Sequence, residues 1–326
     1  MNVRYLTGLQ SSNASVLVEP AGEATVFTDF RYARKAAQLE GVRFEQTARA
    51  VIADLATRLA GRTVWVEGHV LTVAALETLR AGGVDAVPQQ GLVERLRAVK
   101  DESEVGTLRE AAAISDQVFG ALAEERFTGR TEVELVWRLR ELFREHGSAE
   151  LSFDAMVAAG DNGASPHSDN RDVAIEPNTL VIVDAGCRVD GYASDCTRTF
   201  ATGELPDELA SIYATCLDAQ LCGLEAMGPG VLGREADAAA REPIAAAGHG
   251  EHFGHGLGHG IGLEVHEAPA ARPESTDTLE AGNVLSCEPG IYLPGVAGVR
   301  IEDMVLVTDG GRERLTQAGK ELTTVR

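Results

Sequence analysis

The chain has 326 residues, 44% of them hydrophobic, which is ample for two cores and makes two domains the expectation. Its 29 basic and 50 acidic residues give a formal net charge of −21, which argues against nucleic acid or an anionic membrane as partner. Five cysteines without a Cys-x-x-Cys pair, and no leader or long apolar run, point to reduced thiols in a cytoplasmic protein.

Residues 1 to about 92 alternate strands and helices. Ser15 to Glu19, Ala24 to Thr28, Val42 to Gln46 and Thr63 to Glu67 read as strands, with helices near Tyr32 to Leu39, Arg49 to Leu59 and Leu71 to Ala81. No Gly-x-Gly-x-x-Gly follows any of these strands, which argues against a nucleotide site. Gly91 to Lys100 reads as a connector. Two helices follow, opened by Asp101 with Glu104 and by Thr131 with Glu134, each a capping-box pattern, and the second stops at Gly147. Further helices are expected around Pro206 to Met227 and Gly233 to Ala247.

Between and beyond these helices lie two pairs of acids. Asp184 ends the apolar run Thr179-Leu180-Val181-Ile182-Val183, and Asp195 follows after Arg188-Val189-Asp190-Gly191, whose Asp-Gly step favours a hairpin turn. A turn centred between Val189 and Asp190 sets the two aspartates opposite each other, with Cβ atoms about 5 Å apart. Glu288 and Glu302 lie symmetrically about Gly295 and are expected to face each other in the same way. The two hairpins suggest a pseudo-duplicated α/β core. Facing, half-buried carboxylates repel and need positive charge, which metal ions supply.

The histidines concentrate in residues 248–267. Gly254, Gly256, Gly258, Gly260 and Gly262 alternate, which rules out a helical His-Glu-x-x-His site and leaves one face of an extended strand as bare backbone. The other face would carry His255, Leu257, His259, Ile261 and Leu263, while His266 has the opposite parity and needs a bend to reach the same place. Asp184, Asp195, His259, Glu288 and Glu302 form an oxygen-rich donor set suited to two divalent ions, Mn²⁺ foremost, with Co²⁺ or Zn²⁺ also suited. Ions about 3.5 to 4 Å apart activate a bridging water. Cys196 and Cys287 adjoin two of these residues, and strand alternation sends both behind the site as core.

The segment His255-Gly256-Leu257-Gly258-His259-Gly260-Ile261-Gly262-Leu263-Glu264-Val265-His266-Glu267, with Glu288-Pro289-Gly290-Ile291-Tyr292 and Gly298-Val299-Arg300-Ile301-Glu302-Asp303, resembles the Xaa-Pro peptidases, aminopeptidase P and prolidase, of the pita-bread metallopeptidases. Tyr5-Leu6-Thr7-Gly8 and Thr28-Asp29-Phe30-Arg31-Tyr32 resemble that family's accessory domain. The resemblance implies an α/β protein, with a small creatinase-like accessory domain over residues 1–95 and a pita-bread catalytic domain over 96–326. The accessory domain is expected to be truncated at its start, because family members carry a helix and strand before Tyr-Leu-Thr-Gly and only Met1-Asn2-Val3-Arg4 precede it here.

By the same resemblance, Asp195 and Glu302 would bridge two ions, Asp184 would hold one, and His259 with Glu288 the other. Glu288 would also pass the water's proton to the leaving nitrogen, and His167 and His266 would donate to the oxyanion. The substrate-side candidates are His255, lining a proline pocket, Arg300, which shares strand parity with Glu302, and Tyr292. Taken alone, His167 has the plain alternative of an exposed loop histidine, Arg300 that of an ordinary salt-bridge partner and Tyr292 that of a core aromatic. Dipeptidases of the family often have Arg just after the His-Glu-x-Pro segment, where this chain has Ala270, with Arg272 two residues on. That favours an aminopeptidase P acting on peptides with proline at the second position, with Xaa-Pro dipeptidase as the alternative. A creatinase-like hydrolase and a non-catalytic peptide-binding module are less consistent with the full donor set, and a methionine aminopeptidase with the amino-terminal domain and the short Glu288-to-Glu302 interval. A homodimer or larger assembly is expected, since a small accessory domain gains stability by docking.

Overall fold

The computed structural model spans residues 1–326 and separates into two units, residues 1–97 and 98–326. In the first, helix α1 (Asn2–Thr7) ends where Gly8 turns left-handed at φ 74°. Strands β1 (Ala14–Val18) and β2 (Ala24–Thr28) pair antiparallel, helix α2 (Ala33–Ala36) follows, and β3 (Arg43–Gln46) adds parallel to β2. Helix α3 (Val51–Arg58) precedes strand β4 (Thr63–Glu67), helix α4 (Val73–Ala81) and strand β5 (Asp85–Gln89), and the last two strands pair in parallel. Phe27, Leu55, Leu79 and Ala86 share the core.

Three of these elements differ from expectation. Strand β5 holds Pro88, which hides the strand signal and is tolerated because β5 has a neighbour on one side only. The connector contains a short helix, α5 (Glu94–Ala98), so the boundary between the units falls inside it. The helix expected over Tyr32 to Leu39 shrinks to one turn. Gln38 and Leu39 donate to Lys35 and Ala36, three residues back, so the chain tightens and leaves the α pattern.

In the second unit, helices α6 (Glu102–Leu122) and α7 (Glu132–Glu145) begin with the predicted capping boxes. The side chains of Asp101 and Thr131 accept from the N–H groups of Glu104 and Glu134, whose carboxylates reach back. Such a cap typically contributes about 1 kcal/mol. Strands β6 (Met156–Ala159), β7 (Leu180–Asp184), β8 (Arg188–Val189), β9 (Tyr192–Ala193) and β10 (Thr197–Ala201) follow. Leu135, Leu139 and Phe143 of α7 share a fully buried core with Val157, Val181 and Val183.

The plan then repeats. Helices α8 (Asp207–Ala226) and α9 (Gly233–Ala246) precede β11 (Gly258–Gly260), β12 (Glu267–Ala271), β13 (Val284–Cys287), β14 (Gly290–Leu293), β15 (Ala297–Arg300), β16 (Asp303–Thr308), β17 (Gly311–Arg314) and β18 (Thr323–Thr324). One sheet has the order β18-β10-β7-β6, the other β12-β11-β13-β16-β17, and β14 pairs with β15. Each half is thus a helix pair followed by a largely antiparallel sheet.

The two acid hairpins behave differently. In the second, Gly290 pairs with Arg300 and Leu293 with Ala297 around Gly295 at φ 74°, a register that sets Glu288 against Glu302 as the spacing predicts. In the first, Asp190 and Gly191 both have positive φ, 42° and 79°, the signature of a two-residue type I′ turn. Its axis lies one residue later than expected, and Asp184 pairs with Thr197, not with Asp195. Asp184 and Asp195 are therefore diagonal neighbours. They keep the same face because the partner shifts by two residues, which preserves parity.

The glycine-rich strand is also shorter than expected, with a bulge between His259 and Gly260. A Cβ at Gly258 would stand 2.0 Å from the Ser286 carbonyl oxygen, and one at Gly260 2.3 Å from that of Ala268, so both positions exclude any side chain. Gly254 meets nothing within 4 Å, and its place in the alternation is not a packing requirement. Leu257 and Ile261, expected beside the histidines, enter two separate cores because so short a strand does not sustain the alternation.

Candidate metal centre

Where the two sheets meet, five side chains converge. Asp195, His259 and Glu302 offer donor atoms that all lie within 4.8 Å of one another. Glu288 Oε1 is 3.2 Å from His259 Nε2, and Asp195 Oδ2 is 3.8 Å from the same nitrogen. Asp184 lies close enough for its charge to act on Asp195 and Glu302. The His259 Nδ1–H donates to the Gly260 carbonyl at 3.1 Å, which turns Nε2 toward the carboxylates; without metal that nitrogen carries a proton shared with Glu288, whose place a metal ion would take. Asp195 and Glu302 are only 5% and 1% exposed, whereas the side chains of Asp184, Glu288 and His259 keep 20%, 17% and 18%, so the cluster opens on their side.

The charge balance is that of a site built for cations. Burial, together with the charges of Glu302, Asp184 and Glu288, pushes Asp195 well above the usual carboxylate range. Burial and the Glu288 and Asp184 charges do the same to Glu302. Burial also raises Asp184, although Arg300 opposes it. For Glu288, burial is outweighed by the hydrogen bond and charge of His259, which hold it at about 2. Oδ1 of Asp184 and Oε1 of Glu302 are buried without any hydrogen-bond partner. Orphaned, repelling oxygens beside a pre-aligned imidazole nitrogen fit divalent ions.

These shifts have a measurable consequence. A carboxyl group raised in the folded state contributes stability that is fully present below its unfolded value near 4 and is lost as pH rises through the folded value. His255 and His266, whose charged forms are disfavoured chiefly by burial, act in the opposite sense, so a paired comparison is needed. Without metal, Asp195→Asn is expected to melt above the unsubstituted protein, by a margin that grows as pH rises from about 4 toward 8. Thermal unfolding across that range checks this, and a margin that shrinks with pH would contradict the uncompensated cluster.

The substrate-side candidates are linked to the cluster by hydrogen bonds. Arg300, 4% exposed, donates from Nη2 to Asp184 Oδ2 at 2.7 Å, from Nη1 to the Tyr292 hydroxyl and the Pro166 carbonyl, each at 3.1 Å, and from Nε to Thr197 Oγ1 at 3.2 Å. The Tyr292 hydroxyl in turn lies 2.9 Å from His255 Nε2, and burial pushes its pKa up to about 12. Because His255 Nδ1–H donates to the Gly256 carbonyl at 2.8 Å, Nε2 is the acceptor and the ring is neutral. The bend after Gly262 brings His266 beside His259, with ring centroids 4.1 Å apart. His167 stays exposed, but its charge is felt at His266 and its neighbour Pro166 is held by Arg300.

Thr197 and Ser286 escape the sequence reading. Thr197 Oγ1 donates to Glu302 Oε2 at 2.8 Å, and Ser286 Oγ donates to Glu288 Oε1 at 2.9 Å while accepting from the His259 N–H at 3.0 Å. Their signal was the two-residue alternation of extended chain, since Thr197 stands two residues after Asp195 and Ser286 two residues before Glu288. Cys196 and Cys287 are wholly buried behind the cluster, as alternation predicts.

Residues 106–309 match the model of Metallopeptidase family M24, and residues 1–99 that of the Creatinase/Prolidase N-terminal domain. Among solved structures, the chain is similar to an Xaa-Pro dipeptidase from Bacillus anthracis at 39% identity and a TM-score of 0.95, covering 99% of this chain and 92% of that one. It is similar to an X-Pro aminopeptidase from Thermotoga maritima MSB8 at 31% identity and a TM-score of 0.89, covering 99% and 93%. The Xaa-Pro dipeptidase of Pyrococcus furiosus is 32% identical over 327 residues, covering 99% of this chain and 92% of the relative. No helix is long and apolar enough to cross a membrane.

Proposed function

The chain belongs to metallopeptidase family M24, and we propose that within it the protein is a prolidase, hydrolysing the bond before proline in Xaa-Pro dipeptides. The observation that carries this reading is the similarity, along nearly the whole chain and at a TM-score of 0.95, to a protein described as an Xaa-Pro dipeptidase. The aminopeptidase reading that Ala270 favours becomes the second one, supported by that residue and by the likeness to the Thermotoga maritima X-Pro aminopeptidase.

Asp184, Asp195, His259, Glu288 and Glu302 would hold two divalent ions, with Mn²⁺ the first choice for so oxygen-rich a set. When bound, such a pair supplies an activated water and polarises the scissile carbonyl. Glu288 is the base that takes a proton and returns it to the departing proline nitrogen. His266 and His167 donate to the oxygen on which negative charge develops. Arg300 holds Asp184 in place and orders Tyr292, whose hydroxyl keeps His255 neutral at the wall of the proline pocket.

Position 270 separates the two specificities. Ala270 is the cross-strand partner of His259, so a basic side chain there would stand beside the centre. In its absence Arg272, 58% exposed in its side chain and 3.5 Å from Glu274, is the basic group that would receive a dipeptide's carboxylate. Unsubstituted protein is expected to show a higher kcat/KM for Xaa-Pro than for Xaa-Pro-Xaa, and Arg272→Ala to lose that preference. Ala270→Arg should sharpen it, since a charged hydrogen bond contributes ~1.5 to 3 kcal/mol before desolvation. Tripeptides cleaved at least as well as dipeptides would establish the aminopeptidase reading.

A further inference from the structure

The far side of the metal-binding cluster is as tightly bonded as the near side. Thr197 and Arg198 are adjacent on β10, and Glu302 and Asp303 are adjacent at the start of β16, so alternation sends the first of each pair into the cluster and the second away from it. On the cluster side, Thr197 Oγ1 donates to Glu302 Oε2 at 2.8 Å. Between the faces, the Glu302 N–H donates to the Thr197 carbonyl at 3.0 Å. On the far side, Arg198 Nη2 donates to Asp303 Oδ1 at 2.7 Å. These three bonds cross between the four-stranded sheet, which brings Asp184 and Asp195, and the five-stranded sheet, which brings His259 and Glu288.

Arg198 does more than pair with Asp303. Its guanidinium also donates to the backbone carbonyls of Thr197, Glu302, Ala318 and Gly319. Asp303 accepts further bonds, each at 2.9 Å, from Gln220, Lys320 and Thr316. Arg198 is 3% exposed and Asp303 not at all. A buried ion pair contributes little net stability compared with apolar side chains of the same volume, but its directed bonds fix one geometry. A planar five-donor fork can satisfy several carbonyls and a carboxylate together, which an ammonium cannot.

We propose that Arg198 is a positioning residue: anchored by Asp303, it sets the register of Glu302 against Asp195 across the two sheets and so determines how tightly the centre binds divalent ions. The proposal rests on Glu302 and Asp195 being metal ligands, and the experiment separates the two claims. Mn²⁺ affinity is measured by calorimetry on metal-free protein, the visible absorption of the Co²⁺ form is recorded, and folding is followed by circular dichroism. Arg198→Lys, which keeps the charge and loses the fork, is expected to stay folded, to weaken Mn²⁺ binding about 10- to 100-fold and to shift the Co²⁺ spectrum. Leu139→Ala, a cavity in the core of the first half, is expected to lower the melting temperature without changing either metal readout. Should Arg198→Lys fail to fold, Lys320→Gln, which removes one donor from Asp303, is expected to weaken Mn²⁺ binding in the same direction by a smaller factor. Unchanged affinity and spectrum in the folded variant, with binding lost in Glu302→Gln, would overturn the positioning role alone. Binding retained in Glu302→Gln would overturn the ligand assignment and the positioning role with it.

Discussion

Glu302→Ala is expected to lose both metal loading and turnover. Glu302 is 1% exposed, one carboxylate oxygen has no partner and the other takes only the Thr197 hydroxyl, so the protein has invested no other interaction in the group. Its burial among Glu288 and Asp184 is unfavourable until cations arrive. Removing it therefore leaves the metal-free fold intact or more stable while taking away a donor central to the cluster. Elemental analysis after Mn²⁺ loading, with kcat on an Xaa-Pro dipeptide, checks both halves of the statement. Two ions retained per chain would remove Glu302 from the donor set.

His266→Ala is expected to behave in the opposite way, keeping its metal and losing catalysis. The ring lies tilted against that of His259 with centroids 4.1 Å apart, yet no bond to the carboxylates is needed to hold it there, since the bend after Gly262 and the strand β12 that follows fix its backbone. Burial, reinforced by the charge of His259 and that of His167, pushes its pKa down, so near neutral pH it donates through one N–H of a neutral ring. Loss of one donor to a developing oxyanion typically lowers kcat by about 10²- to 10³-fold. The reduction should fall on kcat more than on KM, because the bond is made only as charge develops. A variant that loses its ions, or that turns over normally, would return His266 to a structural role.

Both expectations involve residues that a reader of the sequence can name, and the reason is that their signals are local. The capping boxes at Asp101 and Thr131 act within one turn of helix. The register of Glu288 against Glu302 is fixed by a short loop around Gly295, which the chain cannot slip without moving every side chain to the wrong face. The Gly258 and Gly260 positions announce close backbone contact because only glycine fits there. Donor type, spacing and turn chemistry point to the four acids and to a strand face that carries both His255 and His259, and the family resemblance is what names His259.

What the chain alone did not determine depends on contacts between segments far apart in it. The first hairpin is a local exception: the positive φ of Asp190 and Gly191 sets its axis between those two residues, as an Asp-Gly step favours, so Asp184 meets Thr197 one residue later than the acid spacing suggests. Leu257 and Ile261 part company from the histidines because two cores compete for one short strand. Arg300 reaches Asp184 across 116 residues and Arg198 reaches Asp303 across 105, and neither pairing follows from strand parity within a single hairpin. Periodicity fixes which face of its own strand a side chain occupies; which foreign side chain waits on that face is decided only when the two sheets pack together.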